Sequence, residues 1–248
     1  MRGLRELCWV ELKLFFREPL TVLFVLILPV IVLYVLNGVF GNRTSAGVYN
    51  GLGPIDFYTP TYVALVAATA GVLSVSVHLA AYRERGVLRR FRASPLPTAA
   101  LLAAHVFVAL LMGVTGAILI AVLSATGYGG ALPHDWPGTV LAFLLVSIAF
   151  AALGVLLGIL LRTARAAQGL GVLLFFVFMM LGGAGPPKEV LPATLARLAD
   201  AVPLTYAARA LRGPWLGLGW DTGAVAVMAA LLVLTIGLTA WRLNRIEA

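Results

Sequence analysis

Six apolar stretches punctuate the chain, each long enough to cross a bilayer as a helix, which takes about 20 residues. They run approximately over Leu20–Phe40, Phe57–Ala81, Thr98–Ala125, Gly138–Leu161, Ala166–Ala184 and Thr222–Trp241, and none holds Asp, Glu, Lys or Arg in its middle. Pro29 in the first stretch and the many glycines elsewhere are tolerated, because neighbouring helices can re-satisfy an interrupted backbone. The first stretch is too long for a cleaved signal peptide and follows the acidic Glu6, Glu11 and Glu18. The pattern predicts an all-α membrane protein with six transmembrane helices.

Three segments between or before these stretches are not spans. Over Gly3–Glu18, apolar Leu4, Leu7, Cys8, Leu14 and Phe15 recur at helical spacing among Arg5, Glu6, Lys13 and Arg17, and Pro19 closes the run. This reads as an amphipathic helix lying in the membrane interface over residues 1–19; a charged leader that only sets topology is the plainer alternative. Tyr82–Pro97 carries five arginines and one glutamate, with Val87, Leu88 and Phe91 at helix-like spacing and Pro95 and Pro97 at its end. It fits a short helix that docks a cytoplasmic partner, and it equally fits a topology-setting loop. In Gly185–Asp221, Leu191, Leu195, Leu198 and Val202 fall on one helical face. A second short helix is predicted from Pro203 to Gly213-Pro214, giving a re-entrant or interfacial hairpin too short to span.

Charge sets the orientation. Four Lys or Arg precede the first stretch, five lie in the 82–97 loop, two at Arg162 and Arg165 and two at Arg242 and Arg245, against five on the other side. The positive-inside rule then places both termini in the cytoplasm. Trp136, Trp215 and Trp220 fall near the outer interface and Trp9 and Trp241 near the inner one, as an aromatic belt would. Composition agrees: 61% of the 248 residues are hydrophobic, 11% are charged, and mean hydropathy is +1.00. The net charge of +8 would suggest nucleic acid in a soluble protein, but here the topology rule accounts for it. The lone Cys8 excludes an internal disulfide and a thiolate metal site.

The chemistry of an energy source is missing. Neither lysine, Lys13 or Lys188, follows a glycine-rich loop, so no P-loop occurs. HExxH and GxSxG motifs are absent too, and the ten acidic residues sit in loops or at span ends. No catalytic residue, metal ligand or cofactor site is expected in this chain. A proton-coupled carrier needs an intramembrane carboxylate or histidine relay; His78 and His105 are the candidates, and hydrogen-bonded structural histidines are the alternative.

A family pattern sits on these residues. Arg83-Glu84-Arg85-Gly86 with Leu88 and Arg89, then Ser94-Pro95-Leu96-Pro97, is similar to a shortened "E-R-x-x-G-T-L-x-x-L-x-x-x-P" cytoplasmic loop. Pro186, Leu191 and Pro192, then Pro203-Leu204-Thr205-Tyr206 and Arg212, resemble an outer stretch ending in "P-L-T-Y" and an arginine. The whole chain resembles the ABC-2 type permeases, and in size the daunorubicin-resistance-type branch of that family. The resemblance implies a bacterial cytoplasmic-membrane export permease for a drug, lipid or lipid-linked molecule. It would pair with a second permease copy or paralogue and with two ATPase subunits that hold ATP and Mg. Arg83, Glu84, Arg85, Gly86, Leu88 and Arg89 would couple to the ATPase, and Pro186 to Arg212 would form an outer gate. On this reading the spanning domain covers 20–241, with the coupling loop at 82–97, the hairpin at 185–221 and a tail at 242–248. The first, second and fifth spans would wall the path. An ATPase-independent channel or carrier is the competing reading.

Overall fold

A computed structural model of the chain describes Lys13, Tyr49 and residues 19–40, 51–86 and 98–247. The N-terminal amphipathic helix, Lys13 and Pro19 apart, and the loop residues Leu88 and Arg89 lie outside the described residues.

All regular structure among the described residues is helical. Pro19–Val22, Leu23–Ile27 and Leu28–Phe40 run on as one helix, α1, with a π-helical turn in its middle. Proline explains that turn. Pro29 has no N–H to give, and directly before it the Leu28 N–H reaches back five residues to the Leu23 carbonyl. Helix α2 spans Pro54–Glu84 and has its own π turn at Ala70–Val75. Then follow α3 (Thr98–Tyr128), α4 (Trp136–Leu160), α5 (Ala164–Leu181), a 3-10 turn (Lys188–Val190), α6 (Ala193–Ala199), α7 (Pro203–Leu216) and α8 (Thr222–Glu247). Side chains cap three of these helices. Asp135 accepts from Gly138 N–H at 3.0 Å, Thr163 from Ala166 N–H at 3.2 Å and Asp221 from Ala224 N–H at 2.9 Å.

Among the described residues, five helices are long and apolar enough to cross a membrane: Pro54–Glu84, Leu101–Tyr128, Trp136–Leu160, Ala164–Leu181 and Thr222–Arg242. The predicted first span is an apolar helix too, α1 over Pro19–Phe40. At the centre stands α2, packed by α1, α3, α4, α5 and α7. Its apolar stretch is buried throughout. That helix carries hydroxyls into the core at little cost, because Thr59, Thr61 and Thr69 each donate to the carbonyl four residues back, at 2.7, 2.9 and 2.6 Å. Around it, α3, α5 and α8 expose apolar side chains such as Ile118, Leu173 and Val233, the surface a bilayer covers.

Four sequence expectations change. The implied path wall meets an α2 whose apolar stretch is enclosed by its own chain, whereas α1 and α5 keep open faces at Ile31, Val35, Leu173 and Phe176. Trp215 is no belt residue. It is 3% exposed and donates Nε1–H to the Ala131 carbonyl at 2.8 Å, an indole buried because its one donor is paired. Helix α7 does not stop at Gly213-Pro214 but continues to Leu216, where Gly217 takes the left-handed conformation at φ 70°. It runs two residues past Pro214, and a neighbouring turn satisfies its last carbonyls, with His134 N–H donating to Trp215 O and Asp135 N–H to Pro214 O. The predicted apolar face of the hairpin also splits. Helix α6 ends at Ala199, so Leu195 and Leu198 are exposed while Val202, beyond the turn, is buried.

Candidate functional site

Two polar centres sit at opposite ends of α2, one around Glu84 and one around Phe57 and Thr61.

At the Glu84 end, α2 closes on Gly86, which takes φ +68° and donates its N–H to the Arg83 carbonyl at 3.1 Å. Only glycine adopts that conformation without strain. The two residues before the cap reach across to the turn between α4 and α5. Arg83 Nη1 donates to the Ile159 carbonyl in the last turn of α4, and Glu84 Oε2 accepts the Ala164 N–H at the start of α5, at 2.9 Å. A cation thus meets a helix C-terminus and an anion a helix N-terminus, the favourable sense for both dipoles. With Thr163, Glu84 satisfies two of the four orphan N–H groups of α5. Arg83 and Glu84 form a staple that ties the end of α2 to the α4–α5 junction.

One helical turn deeper lie His78 and His105, both buried, with ring centroids 6.2 Å apart. Each Nδ1 donates to the carbonyl four residues back, His78 to Ser74 at 2.8 Å and His105 to Leu101 at 2.9 Å. Tyr82 packs edge-on to His105 at 5.3 Å. Tied at Nδ1 to their own helices, the two rings bridge α2 and α3.

At the other end the predicted hairpin residues converge on α2. Pro203 opens α7, Leu204 is fully buried, and the Thr205 and Tyr206 hydroxyls donate to the Ala199 and Asp200 carbonyls at 2.7 and 2.8 Å. Pro-Leu-Thr-Tyr therefore closes the α6–α7 turn by capping the end of α6. Tyr58 and Tyr62 of α2 donate to the Gly185 and Ala184 carbonyls at 2.8 and 2.5 Å, fixing the chain as it leaves α5. Arg212 is half-buried against the same helix. Its Nη2 donates to Thr61 Oγ1 at 2.9 Å and its guanidinium lies 3.7 Å over the Phe57 ring. Burial pushes this guanidinium down to about 10, opposed by the nearby Glu189 carboxylate, so it stays charged at neutral pH. Beside it opens a cavity of about 590 Å³. Two ion pairs stand on its walls, Lys188 with Asp200 and Arg209 Nη2 with Asp221 at 2.8 Å. Pro186, Leu191 and Pro192 shape the connection, but Lys188 and Glu189 between them line the cavity.

Residues 2–216 match the family model described as "ABC-2 type transporter". The chain belongs to the ABC-2 type transporter family. It is a multi-pass membrane protein. Among its relatives is the daunorubicin resistance ABC transporter permease protein DrrB1 of Streptomyces coeruleorubidus, 23% identical over 96% of this chain and 84% of the relative. A protein of Bacillus subtilis (strain 168) named as a transport permease, YvfS, is 24% identical over 82% of this chain and 81% of its own length.

Within this ABC-2 chain the structure brings together Arg83, Glu84 and Gly86 at one end and Leu204, Thr205, Tyr206 and Arg212 at the other. Arg85 is exposed beside Gly86. Sequence reasoning missed the receiving sides of both centres, the α4–α5 turn and the Phe57–Thr61 face. One signal was readable, since Thr163 and Asp221 each stand directly before an apolar helical run in the N-cap position.

Two expectations arise here. Glu84→Ala should speed hydrogen exchange in the first turn of α5 and cost about 1 kcal/mol, the modest value of an exposed charged hydrogen bond; unchanged exchange there would remove the staple. Asp221→Ala should cost about 1 kcal/mol at neutral pH, the usual worth of an N-cap. The Asp221 carboxyl sits below its ordinary 3.8, mainly through the Ala224 N–H and then, against partial desolvation, through Arg209. A lowered folded value stabilises fully above the unfolded one and fades as pH falls through the folded one. The gap between variant and parent melting should therefore close in acid below the usual carboxylate range; a gap that widens there contradicts the assignment.

Proposed function

We propose that this chain is the permease subunit of an ATP-driven exporter in a bacterial cytoplasmic membrane. Six helices cross, α1 included, with both termini in the cytoplasm. ATP is hydrolysed on separate subunits that hold ATP and Mg, and a second permease copy or paralogue completes the path. The observation that carries this reading is the staple at the end of α2. Residues of the cytoplasmic loop motif, Arg83 and Glu84, hold the α4–α5 turn, so a push delivered by an ATPase to the loop at 82–97 reaches three spans at once. Arg85, exposed beside Gly86, is assigned to the ATPase contact on this reading, together with the motif residues Leu88 and Arg89. At the far end the α6–α7 hairpin acts as the outer gate, tied to α2 by Arg212. The cargo is hydrophobic or amphipathic, a reading supported by the absence of charge inside the spans and by one relative's name, which links it to daunorubicin resistance.

Inside-out vesicles carrying the chain and its ATPase test this. Uptake of fluorescent amphiphiles and labelled lipids should need hydrolysable ATP and persist when the proton gradient is collapsed. Uptake that ignores ATP and disappears with the gradient would make the chain a secondary carrier.

A further inference from the structure

The cavity beside Arg212 has an unusual charge pattern for a site at the end of a membrane bundle. Three cations, Lys188, Arg209 and Arg212, and three carboxylates, Glu189, Asp200 and Asp221, line one space. The two ion pairs are open to water, with side-chain exposures of 42% and 51% for Lys188 and Asp200 and of 50% and 28% for Arg209 and Asp221. Pairs this open to water are weak and are given up readily. Arg209 directs both Nε, at 2.9 Å, and Nη2, at 2.8 Å, at a single carboxylate oxygen, a fork that a phosphate oxygen fits equally well. Behind the charges the wall is apolar and aromatic, with Phe57, Leu181, Leu218 and the half-exposed Trp220.

We propose that this cavity binds a zwitterionic headgroup carrying a primary ammonium and a phosphate. The lining is balanced in charge, so an anion or a cation alone would enter with an uncompensated charge, at a desolvation cost. A zwitterion instead exchanges partners. Its phosphate takes Arg209 from Asp221, its ammonium takes the released carboxylate, and the count of opposite charges stays matched. The volume of about 590 Å³ holds the headgroup and the start of an apolar body against Trp220. The shared chemistry belongs to a membrane lipid or to a free solute. Binding here does not depend on ATP, so it can fail while the exporter reading stands, and the reverse.

The test is a titration of the purified chain in a non-ionic maltoside micelle, at fixed ionic strength, followed by tryptophan emission and calorimetry. Glycerophosphoethanolamine should saturate the site. Ethanolamine and glycerol phosphate, its two halves, should each bind at least about tenfold more weakly. Arg209→Gln and Asp221→Asn should each weaken glycerophosphoethanolamine about tenfold; asparagine keeps the helix cap, so folding is retained. Lys188→Gln, at the cavity's other ion pair, is the second variant and should weaken glycerophosphoethanolamine as well, and Trp220→Phe should remove most of the optical signal while calorimetric heat remains. Nanodiscs separate the sources. If lipid supplies the headgroup, phosphatidylethanolamine discs will block the solute and phosphatidylglycerol discs will not; if a solute does, both will admit it. Non-saturating heat, variants that bind like the parent, or ethanolamine alone binding as tightly as the zwitterion would overturn the proposal.

Discussion

A Gly154→Val chain will fail to assemble a stable bundle. A Cβ at Gly154 would overlap the carbonyl oxygen of Gly71 and lie 3.0 Å from its carbonyl carbon. A Cβ at Gly71 would lie 2.6 Å from both Ala151 N and the Phe150 carbonyl carbon. One turn along α4, Gly158 leaves 2.8 Å to Leu79 Cβ. Gly154 and Gly158 form the small-xxx-small spacing that lets helix backbones touch where no hydrophobic force drives them together. The obstacle at Gly154 is backbone, inside the π turn of α2, so no side chain can swing away. Overpacking costs about 1–3 kcal/mol in forgiving sites and more where backbone must move; this contact belongs at the upper end, and α2 is the helix on which α1, α3, α4, α5 and α7 pack. Gly237→Ala is the control, since nothing lies within 4 Å of its added methyl. Size-exclusion profile and melting in detergent read both. Gly154→Val eluting and melting with the parent would refute the α2–α4 contact.

Arg212 carries the second large effect, and its variants separate fold from function. Arg212→Ala removes the bond to Thr61 and the stack on Phe57, a loss of about 2–4 kcal/mol from a charged hydrogen bond and a desolvated cation–π contact. Arg212→Lys should not restore it, because an ammonium cannot lie flat on the ring and reach Thr61 together. Arg212→Met should melt close to the parent, since burying the cation is itself a cost, visible in its lowered proton affinity. Transport should fall to background in all three. A Met variant that transports normally would strip Arg212 of any role beyond packing.

The contrast between these two residues shows what the chain's own pattern discloses. Span positions were legible because each is set by local apolar length, and α4 and α5 begin within two residues of the predicted starts at Gly138 and Ala166. The motif residues Glu84 and Arg212 were legible as unusual. Their partners were not, because Ala164 lies 80 residues from Glu84 and Thr61 lies 151 from Arg212, and no periodicity encodes a contact across helices. Pro214 misled for a related reason. The helix runs on only to Leu216, two residues past Pro214, and its last carbonyls at Pro214 and Trp215 are taken by Asp135 and His134 from far along the chain, donors that no local pattern announces. Trp215 looked interfacial by position, yet a single acceptor at Ala131 allowed it inside.

The central claim is that this permease works with a separate ATPase, and purification of the tagged chain from its own membranes in mild detergent tests it most directly. The account predicts that a P-loop ATPase comes with the chain. Its hydrolysis should be lost or uncoupled in Glu84→Ala and Arg85→Ala, which still fold. A chain that emerges alone, in the presence of nucleotide and with ATP-independent transport, would contradict the account and leave a channel or carrier in its place.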